Sequence, residues 1–278
     1  SIMCANFIDS TKDALKVFYK NNPQIKESHG LSHVLAVHAH SSKAIECISP
    51  PLSPDTSMEI QLASLLHDVD DHKYFPDPHQ DSQNDDTDTD AEYRLYPNAT
   101  HIILSLGGLP PQSCTRILRM ISWVSCSSNG NSVPPSIQAC SHYHLLIPRW
   151  SDRLEAIGAR GVVRSYRYNR EHALPLSSPS SPRASDVEEV WKLAPPERFE
   201  LYQASGGESE DMISHYYDKL LHVAKPPQDS VRNGYLERMG RESADALIEV
   251  CLRFGRTGLV DIGYIEGLAD ELEKGGSE

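Results

Sequence analysis

Leu62-Ala63-Ser64-Leu65-Leu66-His67-Asp68-Val69-Asp70-Asp71-His72-Lys73 is an apolar helical run that stops in a histidine-aspartate pair and a charged cluster. Adjacent residues on a helix point about 100° apart, so both can reach one ion only near a helix end. His67 and Asp68 therefore read either as two ligands at such an end or as an ordinary cap or surface pair. Upstream, in SHGLSHVLAVHAH, His29, His33, Val37 and His40 fall on roughly one helix face. A nitrogen and oxygen donor set of this kind suits a hydrolytic divalent metal rather than a thiolate cluster.

Helical periodicity dominates the chain and strand alternation is scarce, which predicts an all-α fold. Helices are expected over Ser10–Tyr19, Ser32–Ile48, Thr56–Leu66, Asp90–Leu106 and Gln112–Ser125. Thr56 and Glu59 have the spacing of a capping box. A polar loop is expected at Cys126–Pro135, then a helix over Ile137–Ala159 kinked or restarted at Pro148. LPLSSPSSPRASD, Leu174–Asp186, reads as a flexible Pro/Ser-rich loop. Further helices are expected over Asp211–Val223, Val231–Arg253 and Tyr264–Leu272.

The net charge of -13 opposes a nucleic-acid polymer as partner, because duplex affinity rests on many phosphate-neutralising cations. A nucleotide is different, since one metal and a few local cations can balance a short phosphate chain. The acidic stretch Asp81–Glu92 reads as a solvated loop without the glycine and ligand spacing of an EF-hand. Six cysteines without close pairing or zinc spacing, and no apolar run of membrane-spanning length, make a cytoplasmic location the expectation.

With these residues in view, the chain resembles the HD-domain superfamily of metal-dependent phosphohydrolases, closest to the YedJ/YpgQ-like branch. The pattern is a histidine, a histidine-aspartate pair and a distant aspartate. HVLAV gives His33, LLHDVDD gives His67 and Asp68, and SDRLEAIGARGVVRSY gives Asp152. HYYDKLL, with His215 and Lys219, is similar to the branch's C-terminal helix. Where the bacterial pattern carries further acidic residues, this chain has Gly30 and Ser151, while His29 is retained. The two extra histidines of dinuclear relatives are missing, which favours one metal ion.

The resemblance implies a single HD-type helical domain over 1–278 with long loop insertions, its core at about 27–165 and a C-terminal helical extension at about 186–278. It implies that His33, His67, Asp68 and Asp152 hold one divalent ion. Manganese is the first choice, with magnesium, cobalt or ferrous iron as alternatives. Asp71, and Asp70 as its alternate, are candidate general bases, set against a merely solvated acidic turn. Lys73, Arg153 and Lys219 are candidate phosphate clamps and Tyr216 a candidate base-stacking ring; each also reads as an ordinary surface charge or core aromatic. The expected activity is nucleoside triphosphate pyrophosphohydrolysis. A nucleoside 5′-monophosphatase and a nucleotide-binding regulatory protein with weak or no catalysis are the alternatives. Self-association into a homo-oligomer is expected on general grounds.

Overall fold

The computed structural model describes residues 2–26, 29–76 and 93–275, and among them every regular element is helical. The expected helix start at Asp90 and the acidic stretch Asp81–Glu92 lie outside the described residues or at their edge. The chain forms two compact units, one made of Ser1–Ser125, Pro134–Asp152 and Arg232–Tyr235, the other of Cys126–Val133, Arg153–Val231 and Leu236–Glu278.

In the first unit, α1 (Ile2–Asn21), α2 (Leu31–Glu46), the central α3 (Pro54–Leu66), α4 (Pro97–Leu106) and α5 (Pro111–Ser122) pack together, with α1, α2 and α5 against α3 and α4 against α1 and α5. This central helix is buried on nearly every side, with Ile60, Leu62, Ala63, Leu65 and Leu66 fully inaccessible. Its cap differs from the expected one. Ser53 Oγ accepts from Thr56 N at 3.1 Å and Pro54 opens the first turn, while Glu59 is buried and takes a two-pronged contact from Arg116 of α5. Helix α4 starts on Pro97 and ends at Gly107, whose φ of +66° side-chain-bearing residues rarely adopt.

The predicted loop Cys126–Pro135 contains a short helix, α6 (Cys126–Asn129), and is followed by α7 (Pro135–Cys140) and a 3₁₀ turn at Tyr143–Leu146. Pro148 does not kink a helix. It occupies the first turn of α8 (Ile147–Ala156), where its missing N–H costs nothing. The break comes later, at Ile157-Gly158, before α9 (Gly158–Glu171), with Gly158 at φ +75°.

In the second unit, α9 is joined by α10 (Val187–Lys192), α11 (Pro196–Ala204), α12 (Met212–His215), a π turn at Tyr216–Leu220, α13 (Leu221–Ala224), α14 (Gly234–Thr257) and α15 (Ile262–Gly275). Helix α9 packs on α15, and the π turn packs on α11. The core holds Tyr216, Tyr217, Leu221, Leu247, Cys251 and Ile265. The Pro/Ser-rich stretch 174–186 is tied down, contrary to its composition. Pro175 and Leu176 carbonyls accept from Met212 and Ile213, Ser181 donates to Asp211, and Arg183 donates to the Gly255 carbonyl. Ala184 lies so close to Gly255 that a methyl there would sit 1.8 Å from its carbonyl oxygen. A segment anchored in this way is fixed onto the second unit, with Ser181 and Ala184 buried.

His215 is half-buried in this unit beside Tyr202, and loss of hydration, reinforced by the charges of Lys219 and Arg164, pushes its pKa down to about 3. The folded state thus prefers the neutral ring. Its contribution is complete above the unfolded value near 6.5 and is lost as pH falls from there toward about 3. In urea titrations the wild type should lose up to about 1.4 kcal/mol per pH unit to this group in that window. His215→Gln should flatten the slope; equal slopes would remove His215 as the cause.

Candidate metal centre

The central helix ends where the sequence pattern says it should. His67 is its C-terminal cap residue, and the turn that follows is closed by Val69 N donating to Leu66 O and Asp71 N to Asp68 O. His67 and Asp68 converge here because the helix stops, and they meet His33 from the first turn of α2 and Asp152 from α8. His33 Nε2 lies 3.1 Å from Asp152 Oδ1, 3.3 Å from Asp68 Oδ2 and 3.3 Å from His67 Nε2. His67 Nε2 lies 3.4 Å from both Asp68 Oδ1 and Asp152 Oδ1.

The separations among His33, His67 and Asp152, one atom from each, fit a shared cation, whereas Asp68 meets the two histidines through different oxygens. Metal-ligand bonds of about 2.1 Å place neighbouring donors about 3.0 Å apart at right angles and about 3.4 Å apart at tetrahedral angles. His67 Nδ1 lies 2.9 Å from the Ser64 carbonyl, so the ring donates there and its Nε2 lone pair is left facing the cluster. Asp68 Oδ2 is buried and, despite its proximity to His33, has no aligned hydrogen-bond donor. A buried carboxylate oxygen in that condition calls for positive charge. Without a cation, protons supply it. Burial opposes charge on His33, but Asp152 and Asp68 outweigh it and lift its pKa to about 10. His67 is raised against its burial by Asp68 and Asp152. Asp152, despite burial, is held well below the usual carboxylate range by the two histidines, and Asp68 is lowered by the same pair.

Around this cluster the candidate residues separate by environment. Asp71 accepts from its own turn through Lys73 N at 3.0 Å, and its Oδ2 lies 3.5 Å from His29 Nε2. The His29 ring is 6.2 Å from that of His33, and Lys73 Nζ approaches His29 Nε2 at 3.3 Å. Asp71, His29 and Lys73 thus form one polar group beside the ligands. Asp70 does not belong to it. Both its oxygens are taken by the start of α4, from Asn98 N at 2.9 Å and Ala99 N at 2.8 Å, so it is an anchor rather than a base.

The remaining three candidates belong to the second unit. Arg153 is 2% exposed and its guanidinium donates to Asn131 Oδ1 and the Gly130 carbonyl, which commits it to structure instead of phosphate. Tyr216 has no accessible surface and cannot stack on a base. Lys219 Nζ sits 5.8 Å above the Tyr202 ring. Sequence reading passed over Tyr19. Helix α1 places its hydroxyl in a buried position with no hydrogen-bond partner, close enough to Asp68 and Asp71 that burial first, and their charges second, keep the phenol protonated. Only its place on the helix face containing Thr11, Leu15 and Tyr19 hints at an inward position.

The chain belongs to the same family as the uncharacterized protein L803 of Acanthamoeba polyphaga mimivirus, to which it is 31% identical over 261 residues, 91% of this chain and 99% of that protein. No protein-family model matches it. Its fold is similar to a structural-genomics crystal structure from Lactobacillus plantarum, with a TM-score of 0.54 at 16% identity over 89% of this chain and 94% of the other. It is also similar to the Lin1889 protein of Listeria innocua, with a TM-score of 0.50 at 17% identity over 97% of each.

Asp70→Ala would leave two backbone N–H groups of α4, one buried and one half-buried, without their acceptors. It should cost about 2 kcal/mol or more of stability in denaturant unfolding. Manganese affinity of the folded fraction should stay within about twofold of wild type. A large affinity loss at unchanged stability would put Asp70 back among the site residues.

Proposed function

We propose that this protein is a cytoplasmic, metal-dependent phosphohydrolase of the HD-domain type that converts nucleoside triphosphates to nucleoside monophosphates and pyrophosphate. The observation that carries the reading is the convergence of His33, His67 and Asp152 at donor distances of 3.1–3.4 Å, with Asp68 3.3 and 3.4 Å from the two histidines through its separate oxygens. The choice of triphosphate rests on the resemblance of HVLAV, LLHDVDD and SDRLEAIGARG to that superfamily. No helix among the described residues is long and apolar enough to cross a membrane, which agrees with a substrate free in solution.

These four residues would hold one divalent ion, manganese for preference, which when bound polarises a phosphate oxygen and makes an attacking water more acidic. Asp71 accepts the proton of that water as its oxygen adds to the α-phosphorus. The bond from the α-phosphorus to the bridging oxygen breaks, and pyrophosphate leaves with the electron pair. His29 orients Asp71 from 3.5 Å, and Lys73 offsets charge on the departing phosphates. Tyr19, whose hydroxyl holds its proton and has no hydrogen-bond partner among the described residues, would donate to a bound phosphate oxygen.

The test is product analysis on ribonucleoside and deoxynucleoside tri- and monophosphates with manganese. Wild type should release pyrophosphate and monophosphate. His67→Ala and Asp68→Ala should lose turnover together with metal binding, whereas Asp71→Asn should lower kcat about 10²-fold or more with metal affinity retained. Phosphate released from monophosphates would transfer the assignment to a 5′-monophosphatase. Nucleotide binding without turnover would make the protein a regulatory binder.

A further inference from the structure

Three serines lie behind the metal centre, each with no accessible surface: Ser41 on α2, Ser64 on α3 and Ser151 on α8. Ser41 Oγ is 2.6 Å from Ser64 Oγ and donates to Ser151 Oγ at 3.0 Å. The three helices linked in this way are those that deliver the ligands. Helix α2 carries His33, α3 ends at His67 with Asp68 next in the chain, and α8 carries Asp152 directly after Ser151. Ser64 also serves the ligands through its main chain, because its carbonyl accepts from His67 Nδ1 at 2.9 Å.

We infer that Ser41, Ser64 and Ser151 are positioning residues whose buried hydroxyl chain sets the spacing of the ligand-bearing helices. The inference rests on the reading of the His33, His67, Asp68 and Asp152 cluster as a metal centre. The core of this unit, with Val34, Val37, Leu62 and Leu65, is apolar and non-directional, and such contacts leave a helix free to shift slightly along its neighbour. Hydroxyl contacts at 2.6 and 3.0 Å have a narrow working range. A buried polar network that is satisfied selects one packing arrangement over its near neighbours. Serine is also short enough for the helix backbones to approach. At Ser151 the HD pattern that the chain resembles carries an acidic residue, and here the support comes from a neutral hydroxyl held by two other helices.

Manganese binding by the full-length protein separates this role from simple packing. Dissociation constants from isothermal titration are compared for wild type, Ser41→Ala, Ser151→Ala and the double variant, with melting temperature and circular dichroism on the same samples. Alanine is the better helix former, so local helix content should survive. Each single variant should weaken manganese binding about tenfold. The double should be little worse than either single, because one chain is broken in all three cases. Variants that melt earlier but bind manganese as wild type does would overturn the positioning role while leaving the metal reading intact. Wild type that binds no manganese would overturn both. If Ser41→Ala does not yield folded protein, Ser151→Ala decides by the same criterion.

Discussion

Two imidazoles 3.3 Å apart, each within 3.4 Å of both of two carboxylates, constitute an electrostatic demand that the remainder of the first unit is arranged to sustain. Each group alone would avoid burial. Together they are stable only when positive charge sits among them, whether as protons on His33 and His67 or as a cation. Helix α3, buried on nearly every side from Met58 onward, is the platform for this arrangement. Its apolar faces fix its place among α1, α2 and α5, and its C-terminus brings two of the four donors to one point.

That demand also orders the neighbouring residues. Close to the donors, charge is either shared, as in the cluster, or kept neutral, as in the protonated Tyr19 phenol. One step outward, Asp71, His29 and Lys73 form a polar group of their own. Asp70, although adjacent in sequence to Asp71, is drawn the other way by the unsatisfied N–H groups at the start of α4. Two neighbouring carboxylates thus have unrelated tasks because consecutive residues in a turn face different surroundings.

Much of this was legible in the sequence, for identifiable reasons. Helices α2 and α3 were read within a few residues because apolar spacing, Pro54 and the abrupt polar stop after Leu66 are local signals. The cluster itself could be reached only through pattern resemblance, since nothing local to His33 or Asp152 announces that they meet. The readings that failed depended on distant contacts. Asp70 looked like a base until the first turn of α4 was placed against it. Arg153 looked like a phosphate clamp until Gly130 and Asn131 took its guanidinium. The stretch 174–186 looked flexible by composition, yet Met212, Ile213 and Gly255 hold it. Tyr19 carried no local mark at all.

The five residues from His67 to Asp71 contribute, in order, a donor, a donor, a core side chain, a helix anchor and a candidate base. Val69, with no accessible surface, sits between the two pairs and leaves no idle position. Such a segment has no slack in its length. Removing or adding one residue would rotate every later side chain onto the wrong task at once. Tolerance to insertion in this chain must therefore lie elsewhere, and the turn is a fixed ruler against which the more variable loops are measured.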